Sequence, residues 1–343
     1  MRGNMKKIAH VLGSSRLTAD VITVLRLTER LCGRFSFDII MPNDAEYAEL
    51  FLGKGRRVVG FDNPSEVSIS AISRFARYFS LNPPDIVHTH VSLAARVGAR
   101  LAGIKKSIST RSLSDGCHRA RRWGAPVYNF FTAATVCHSS SIYTELVSEG
   151  VSPKKIITYL PRAEKRREGD EERRRGDEIL LVCPLPIAEG FGQKTLIHAF
   201  ARLKNRLNTR LVFLGGGSEI RECRLLASRL GVGERVEFMS DIMSTNIYKN
   251  RERIMLFTHE ESWELCNNLF DEGEFSMIAS NLPQNRELLD GVCLFYNSGD
   301  AFSLERAIER WCISDKKRPC ASAGSGLSFE GLCDFYAELY SAF

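Results

Sequence analysis

Residues 209–231, TRLVFLGGGSEIRECRLLASRLG, place a strand, a glycine turn and a helix in direct succession. The apolar run at 209–214 is typical of a buried strand, and apolar residues at helical spacing follow the turn. Gly215, Gly216 and Gly217 form that turn. Glycine lets the backbone approach a phosphate closely, and a helix N-terminus offers free N–H groups to an anion. A tight strand-to-helix turn explains the three glycines nearly as well, so alone they indicate a phosphate site only weakly.

Strands and helices alternate in the same way through most of the chain. Short apolar runs are followed by segments with apolar residues at helical spacing. This alternation is typical of parallel, doubly wound sheets with right-handed crossovers. The sequence predicts strands at 8–12, 37–41, 56–61, 84–90, 106–110, 133–139, 178–185, 209–214, 235–239, 253–257, 276–280 and 292–297.

A highly charged segment, RAEKRREGDEERRRGDE at 162–178, interrupts the alternation. Its few apolar residues favour a linker or surface insertion, with a solvated helix as the alternative. A length of 343 residues also indicates two domains. We therefore predict an N-terminal Rossmann-like domain (1–161) and a charged linker (162–177). A second Rossmann-like domain (178–326), which ends in a Gly/Ser/Ala hinge (321–326), and a C-terminal helix (327–343) would follow.

Composition and charge exclude several classes of protein. The 10 cysteines form no CxxC pair and no zinc-ligand spacing, which favours reduced thiols in the cytosol. No apolar run has the length of a signal peptide core or a membrane span. The net charge of +6 comes with basic clusters at 119–122 and 162–175, which predict a solvated face first and weak attraction to an anionic membrane second. No nucleic-acid motif accompanies them. We predict a cytoplasmic protein, with peripheral association at the inner face of the membrane as the alternative.

An ordered series of segments resembles the family-4 glycosyltransferases, which are retaining enzymes of the GT-B fold. The run from 178 to 311 is similar to the donor-binding half of that family. No single motif is specific, but the order and spacing of the segments match. The similar segments are TLIHAFARL (195–203), LVFLGGGSEIRECRLLASRLGVGERVEFM (211–239), SMIASNLPQNRELLDG (276–291) and NSGDAFSLERAIERW (297–311), with PDIVHTHVSLAARVGARLAGI (84–104) and VCHSSSIYTELVSEGVSPKKI (136–156) in the N-terminal half.

The resemblance implies two Rossmann-like domains facing each other across a cleft, with the C-terminal helix crossing back to the first domain. It implies a nucleotide-diphosphate sugar bound by the C-terminal half as the donor substrate. A glycan or lipid-linked acceptor of envelope polysaccharide synthesis would bind the N-terminal half. It also implies hexosyl transfer with retained configuration, no metal and no cofactor. Cationic groups and the glycine turn would stabilise the negative charge that develops on the leaving diphosphate.

The expected cations of the donor site are altered in this chain. The family has an arginine after the first strand of the second domain and a lysine shortly after it. Pro184 and Glu189 stand at those positions here. Lys194 replaces the lysine only if the loop follows a different path. A carboxylate at Glu189 would repel a phosphate.

The family also has two glutamates eight positions apart that bind the donor. Counting back from 276–280 places Glu261 at the first position and Leu269 at the second. Counting forward instead pairs Glu264 with Glu272. Acidic surface residues on a helix are the alternative to both assignments.

The acceptor half departs from the family pattern at one position. Ser112 stands where the family often has a histidine near the reacting sugar. His88 and His90, in DIVHTH, remain at the end of a predicted strand. We predict His90 and Glu261 as the catalytic residues, with Lys194, Glu264, Glu272 and the three glycines binding the donor. A hydrogen-bonded structural histidine at a strand edge is the alternative for His88 and His90.

Three functions fit these observations. The first is active sugar transfer. The second is a weakened GT-B protein that acts as a binding or scaffolding partner, which the missing cations favour. The third is a sugar-nucleotide epimerase, for which no acid–base carboxylates are evident. The chain has no GxxxxGK[ST], which excludes P-loop enzymes, and no GxGxxG with a downstream acidic residue, which disfavours a nicotinamide-dinucleotide dehydrogenase.

Overall fold

A computed structural model shows two compact units. The first comprises Met1–Leu160 together with Glu330–Phe343, and the second comprises Pro161–Phe329. Within the described residues no helix is both long enough and apolar enough to cross a bilayer. The structure describes residues 5–15, 17–90, 92–111, 125–160, 164–165, 178–184, 187, 189–239, 253–259, 275–313, 320–322 and 329–343.

The first unit is built on a seven-stranded parallel sheet in the order β3-β2-β1-β4-β5-β6-β7. Its inner strands are buried along nearly their whole length, as expected where helices cover both faces. The strands are β1 (Lys7–Val11), β2 (Ser36–Pro42), β3 (Arg56–Phe61), β4 (Ile86–Thr89), β5 (Ser107–Arg111), β6 (Ala134–Cys137) and β7 (Ile156–Thr158).

Side-chain caps start four helices of the first unit. Thr18, Ser68, Ser92 and Ser139 each accept a hydrogen bond from the backbone N–H three residues later. Such a cap satisfies one of the unpaired N–H groups of the first turn and contributes about 1 kcal/mol. The helices of this part are α1 (Ala19–Leu31), α2 (Ile69–Leu81), α3 (Leu93–Leu101), α4 (Ala125–Phe131) and α5 (Ser140–Ser148).

The second unit is built on an eight-stranded sheet in the order β11-β10-β9-β12-β13-β15-β8, with β14 also paired to β13. Strands β9 to β14 are parallel, whereas β15 and β8 extend the edge antiparallel. Its strands are β8 (Glu164–Lys165), β9 (Ile179–Cys183), β10 (Thr209–Leu214), β11 (Val236–Met239), β12 (Arg253–Phe257), β13 (Phe275–Ser280), β14 (Leu294–Tyr296) and β15 (Cys320–Ser322), and its helices are α6 (Gln193–Leu203), α7 (Ile220–Arg229), α8 (Pro283–Leu289) and α9 (Ala301–Ile313).

Two apolar layers cover the faces of the second sheet. Leu181 and Phe213 point into a layer formed with α6, α7 and α9. Leu180 and Val212, their neighbours along the strands, point into the opposite layer with α8. Because successive strand residues point to opposite faces, a continuous apolar run is what a sheet covered on both sides requires.

The last helix, α10 (Phe329–Ala342), packs on the first unit. Tyr336 and Tyr340 are its buried anchors, at 2% and 0% exposure. At its C-terminal end, Lys6 Nζ donates to the carbonyl oxygens of Tyr340 and Ser341. A lysine there satisfies terminal carbonyls and complements the helix dipole. The helix thus closes the first unit after the chain has passed through the second.

The predicted fold class is confirmed, with differences at three segments. Glu164–Lys165 of the predicted linker form β8, and Cys320–Ser322, at the start of the predicted hinge, form β15. Strand β15 pairs with the first residues of β13, which β14 does not reach, and β8 continues the edge beyond β15. Residues 156–158, for which no strand was predicted, form β7, which pairs with β6 at the edge of the first sheet.

Gly98 generates a test of the packing between α2 and α3. A Cβ at Gly98 would lie 2.5 Å from Phe75 Cβ and 2.9 Å from the backbone nitrogen of Ala76. We expect Gly98→Ala to lower the free energy of unfolding by roughly 1–3 kcal/mol, because overpacking outweighs the better helix propensity of alanine.

Denaturant unfolding of the variant measures this change. Gly33→Ala is the matched control, since nothing lies within 4 Å of a Cβ there, and it should stay within about 0.5 kcal/mol of the parent. Equal stability of the two variants would contradict the close approach of the helices.

Candidate functional site

Each sheet has one point where the strand order reverses. In the first unit this point lies between β1 and β4, and in the second it lies between β9 and β12. Loops that follow the two strands leave in opposite directions there, and ligands of open α/β sheets bind in the resulting crevice at the carboxyl ends. His88 and His90 lie on or just after β4 and Lys194 follows β9, so these candidates lie at the two points, whereas the glycine turn follows β10, the strand next to β9.

The three glycines of the second unit have different structural roles. Gly215 adopts φ 141° and its N–H donates to the Met239 carbonyl at 2.8 Å. A Cβ at Gly217 would lie 2.1 Å from the Ile187 carbonyl oxygen, so no other residue fits. Gly216 is exposed and has no atom within 4 Å of its Cβ position. Only Gly216 therefore leaves room for a ligand to approach the backbone.

Ile187 joins the loop after β9 to the glycine turn. Its N–H donates to the Gly216 carbonyl, and its own carbonyl accepts from the Glu219 N–H, each at 3.0 Å. These two bonds hold both loops as one surface at the carboxyl edge. Ile187 therefore contacts Gly217 across two loops of the same chain, which the sequence alone did not reveal.

The loop before α6 is also held by the end of β12. The Thr258 hydroxyl donates to the Phe191 carbonyl at 2.6 Å. Gly192 adopts φ 78° beside Thr258, and the Phe191 ring lies 4.5 Å from the His259 ring. Burial lowers the pKa of His259 below its usual range. The loops after β9 and β12 therefore meet at the predicted crevice.

The helices that follow these two loops, α6 and α7, start without a side-chain cap. Gly192 and Glu219 are the N-cap residues of α6 and α7, and neither side chain bonds a backbone N–H of its helix. The four capped helices of the first unit show the usual arrangement. Uncapped N–H groups at two adjacent helix starts form an electropositive surface that suits a phosphate.

Lys194 is the predicted cation of the donor site that lies within the described residues. It forms an ion pair with a carboxylate. Its Nζ lies 2.5 Å from Glu219 Oε1, with side-chain exposures of 52% for the lysine and 14% for the glutamate. This hydrogen bond raises the pKa of Lys194. Glu219 lies two residues after the last glycine, at the N-terminus of α7, where a negative charge is favoured as a phosphate would be. Glu189 is also exposed nearby in sequence.

Other predicted site residues lie outside the described part of the chain. These are Glu261, Glu264, Glu272 and the position of the missing histidine, Ser112.

At the reversal point of the first unit, three buried histidines share one face of the sheet. His10 on β1 is in register with His88 on β4, and His90 follows two residues later. Their ring centroids lie 4.7–5.6 Å apart. Exposures are 0% for His10 and His88 and 5% for His90. Residues in register, or two apart along a strand, point to the same face, which brings the three rings together.

These rings belong to a continuous set of hydrogen bonds that we call the histidine–tyrosine network. It runs from β1 and β4 through two hydroxyls of α10 to a fourth buried histidine near β6. The sequence analysis identified only His88 and His90 among its members. The contacts are His90 Nε2 to His10 Nδ1 (3.3 Å), His10 Nε2 to Tyr340 Oη (3.2 Å), Tyr340 Oη to His88 Nδ1 (2.7 Å), His88 Nε2 to Thr110 Oγ1 (2.7 Å), Thr110 Oγ1 to Tyr336 Oη (3.1 Å) and Tyr336 Oη to His138 Nε2 (3.4 Å).

Burial keeps all four histidines neutral at pH 7. The loss of solvent lowers the pKa of His90 to about 3 and that of His138 to about 4. It also holds the pKa values of His10 and His88 well below their usual range, with neighbouring histidines adding to the effect. A charged imidazole would have to leave water without a counter-ion, which is why the neutral form prevails.

Among the described residues, His10, His88 and His90 are the group that comes near to a metal site. Their ligand atoms lie within 4.8 Å of one another. Both nitrogens of His10 and both of His88 already bond other side chains. An ion could bind only by breaking these bonds, so the three rings fit a hydrogen-bonded network rather than a metal. Only Nδ1 of His90 is buried without a partner.

The sequence contained a partial signal for this network. His10 is a single polar residue inside the apolar run 8–12, and in register with DIVHTH it belongs to the same face. Tyr336 and Tyr340 are four residues apart in the last helix, as side chains on one helix face must be. Which strands that face meets follows only from the tertiary structure.

Structural comparison shows the fold shared with sugar-nucleotide proteins. Anabaena HepE, solved in complex with UDP and glucose, has a TM-score of 0.74 at 15% identity, covering 98% of this chain and 100% of that one. A glycosyltransferase from Rickettsia africae has a TM-score of 0.69 at 15% identity, covering 99% of each chain. A putative UDP-N-acetylglucosamine 2-epimerase from Listeria monocytogenes has 0.64 at 11% identity, covering 99% and 98%. The chain therefore has the two-domain α/β fold of the GT-B type.

Sequence comparison adds no assignment: no protein-family model matches this chain, and no curated protein is significantly similar in sequence.

Substitutions at Gly216 and Gly217 distinguish an effect on ligand binding from an effect on stability. Gly216→Ala places a methyl group in open space, so we expect an unchanged melting temperature and nucleotide binding weakened about tenfold or more. Gly217→Ala is the contrasting variant, because its Cβ meets Ile187; it should lower stability by roughly 1–3 kcal/mol.

Thermal unfolding with and without UDP measures both effects. Unchanged UDP affinity of Gly216→Ala would show that ligands bind elsewhere.

The buried histidines predict loss of stability in mild acid. The unfolded chain takes up protons near pH 6.5, whereas the folded pKa values of His90 and His138 are about 3 and 4. Stability is therefore full above pH 6.5 and falls as the pH drops toward the folded values. At pH 5 each such histidine costs roughly 2 kcal/mol.

Hydrogen exchange at pH 7.5 and 5.0 measures the local effect. Amides of β1 and β4 should lose more protection than those of β9 and β10. Equal protection at both pH values, after correction for intrinsic exchange, would contradict neutral burial.

Proposed function

We propose that this protein is a glycosyltransferase that moves a sugar from a nucleotide-diphosphate sugar to a hydroxyl acceptor. One observation carries the proposal: the open Gly216 turn lies beside the loop after β9, next to the reversal point of the second sheet, and α6 and α7 start there without side-chain caps. That surface suits a diphosphate, because helix N-termini present N–H groups and positive dipole ends to an anion. The fold shared with HepE, which was solved with UDP and UDP-glucose, favours UDP as the nucleotide.

The finer assignment follows the family resemblance of the sequence. We propose hexosyl transfer with retained configuration and without a metal, in the manner of family 4. The acceptor would be a glycan or lipid-linked intermediate of envelope polysaccharide synthesis, reached in the cytoplasm at the inner membrane face. His90 and Glu261 would act at the reacting sugar, while Lys194, Glu264 and Glu272 would bind the donor. Residues 162–177 would link the two domains.

The pairing of Lys194 with Glu219 supports a second candidate, a weakened protein that binds partners rather than transferring sugar. A carboxylate at the glycine turn repels the diphosphate that the turn would otherwise attract. Pro184 and Glu189 stand where the family has cations, and they add to this effect.

The test is thermal unfolding with UDP, GDP, ADP, TDP and CMP at millimolar concentration, followed by their sugar conjugates. A nucleotide at 100 times its Kd should stabilise the protein by about 2.7 kcal/mol. A shift with UDP and UDP-glucose supports the transferase. No shift with any nucleotide refutes a donor site and favours the binding partner.

The variant Glu219→Gln tests whether the ion pair weakens the site. Removing this charge frees Lys194 and ends repulsion of the diphosphate, so UDP should bind about tenfold more tightly, or about 1.4 kcal/mol. The added substitution Lys194→Met should abolish the gain.

Calorimetric titration with UDP measures both variants against Glu234→Gln, an exposed glutamate of the same unit. If Glu219→Gln binds UDP no better than this control, the carboxylate does not face the nucleotide.

A further inference from the structure

Three successive helices of the first unit end with a large apolar side chain in solvent. Leu81 is the last residue of α2, Leu101 is the last of α3, and Phe130 lies one residue before the end of α4. Their exposures are 72%, 66% and 65%. Each helix leads into the start of the next strand, so the three ends lie at the amino edge of the first sheet, opposite the edge where its crevice opens.

These helix ends are neighbours. Helices α2 and α3 pack closely at Gly98, and α3 contacts α4 through arginine side chains that lie over aromatic rings. The Arg100 guanidinium lies 5.4 Å from the centre of the Phe130 ring, and Leu101 follows Arg100 directly. The exposed apolar side chains therefore form a row, whereas apolar residues that are exposed singly are ordinary on protein surfaces.

Exposed lysines border this row from the loop before β5. Lys105 and Lys106 are both exposed and directly precede Ser107, the first residue of β5. The Ser107 hydroxyl donates to the Phe131 carbonyl at 2.5 Å, which ties the start of β5 to the end of α4. The two lysines therefore lie beside the helix end that bears Phe130.

The segment before β7 brings further cations to the same helix end. Lys155 Nζ donates to the carbonyl oxygens of Asn129 and Thr132, and Lys154, its neighbour, is exposed. We call this part of the first unit the amino-edge surface, defined by Leu81, Leu101, Phe130, Lys105, Lys106 and Lys154.

Acidic side chains are scarce around the amino-edge surface. Residues 67–111 and 125–144 contain one acidic residue, Asp85, whose carboxylate accepts a backbone N–H of β1. Among the described residues, the three lysines of the surface have no carboxylate partner. Exposed arginines elsewhere in the chain, such as Arg30 and Arg206, are paired with glutamates. The positive charge of the amino-edge surface is therefore left uncompensated.

We propose that the amino-edge surface binds an anionic lipid bilayer, with Leu101 and Phe130 at the headgroup boundary and the lysines against lipid phosphates. Burial of apolar area and attraction to a negative leaflet add together at such a surface. Lysine stems let neighbouring apolar side chains insert while the ammonium groups stay in water. Each helix C-terminus carries about half a negative charge, which the full charges of the lysines exceed.

This inference deepens the proposed location at the inner membrane face and rests on that part of the proposed function. It assigns the contact to residues outside the basic clusters at 119–122 and 162–175. Binding through the amino edge turns the carboxyl edge of the first sheet away from the bilayer. Strands of four or five residues separate the two edges by roughly 15 Å. An acceptor bound at that crevice would present a hydroxyl well away from the headgroups, as a glycan carried on a lipid does.

Sedimentation of the full chain with lipid vesicles, without nucleotide, tests the surface. We expect binding to vesicles of equal parts phosphatidylglycerol and phosphatidylcholine, and none to phosphatidylcholine alone. Raising the ionic strength from about 0.1 M to about 1 M shortens the screening length from about 10 Å to about 3 Å and should weaken the binding. Absence of binding to the anionic vesicles overturns the proposal. Thermal unfolding with UDP tests the donor site separately, so either can fail alone.

The double variant Lys105→Gln/Lys106→Gln removes two charges of the surface. A basic residue near an anionic membrane contributes about fivefold to binding, so we expect a loss of roughly 25-fold. Arg221→Gln/Arg229→Gln is the matched control, since it removes the same net charge from exposed positions of α7 in the second unit. Equal vesicle binding by the two double variants overturns the assignment to the amino edge.

The variant Phe130→Ala removes the most prominent apolar side chain and should weaken binding to anionic vesicles about tenfold. Phe302→Ala is its control, because Phe302 is also exposed and lies beside two arginines, but in the second unit. If Phe130→Ala instead abolishes self-association in solution and leaves vesicle binding intact, the surface joins two copies of the chain and the proposal is wrong.

The variant Phe130→Trp reports the contact directly and keeps an aromatic ring at this position. After subtraction of the parent signal, which comes from 3 tryptophans, its emission should shift to shorter wavelength on anionic vesicles. Phe302→Trp should show no such shift. Unchanged emission of Phe130→Trp in the vesicle-bound protein overturns the proposal.

Discussion

The hydrogen-bonding requirement of four buried imidazoles governs the first unit. A neutral ring without water needs one donor and one acceptor, and an unmet requirement costs about 1–3 kcal/mol. Strands β1 and β4 bring three such rings to one face, and they cannot satisfy one another alone. The hydroxyls of Tyr336 and Tyr340 bond three of the four rings, and Nδ1 of His90 keeps no partner. The position of α10 on this unit is therefore set by specific polar contacts as well as by apolar burial.

The second unit depends on backbone geometry at the matching place. Its glycine turn and the loop after β9 bond each other through Ile187, and two helices begin beside them without side-chain caps. This leaves fixed N–H groups at the surface, while Lys194 is paired with Glu219. The balance between those N–H groups and the carboxylate determines how well an anion binds. The two units thus place different groups at corresponding positions, buried neutral histidines in one and a backbone turn with helix starts in the other.

The sequence predicted most of the fold and part of the candidate site. Apolar runs such as 84–90 and 209–214 are long and regular, so their strands were evident. The strands Glu164–Lys165 and Cys320–Ser322 were missed, because two or three residues pair only where a neighbouring edge is available. The glycine triplet was recognised, but that Gly217 meets Ile187 depends on a contact between two loops.

The histidines show the same limit more sharply. His88 and His90 were visible as a pair at a strand end, and the alternative of a hydrogen-bonded structural histidine describes His88, whose two nitrogens are both used. His10 became relevant only through the register of β1 with β4. Tautomers and partners are properties of three-dimensional neighbours, which composition and spacing do not specify.

The membership of α10 in the first unit has a consequence for biosynthesis. Residues 330–343 leave the ribosome after all of 161–329, so the first unit stays incomplete while the second is made. During this interval, at synthesis rates of about 5–20 residues per second, the sheet that bears the histidines lacks α10. The second unit is continuous in sequence and can fold without waiting. We therefore expect nascent chains to hold a folded second unit beside an unfinished first one, the state in which chaperones would meet this protein.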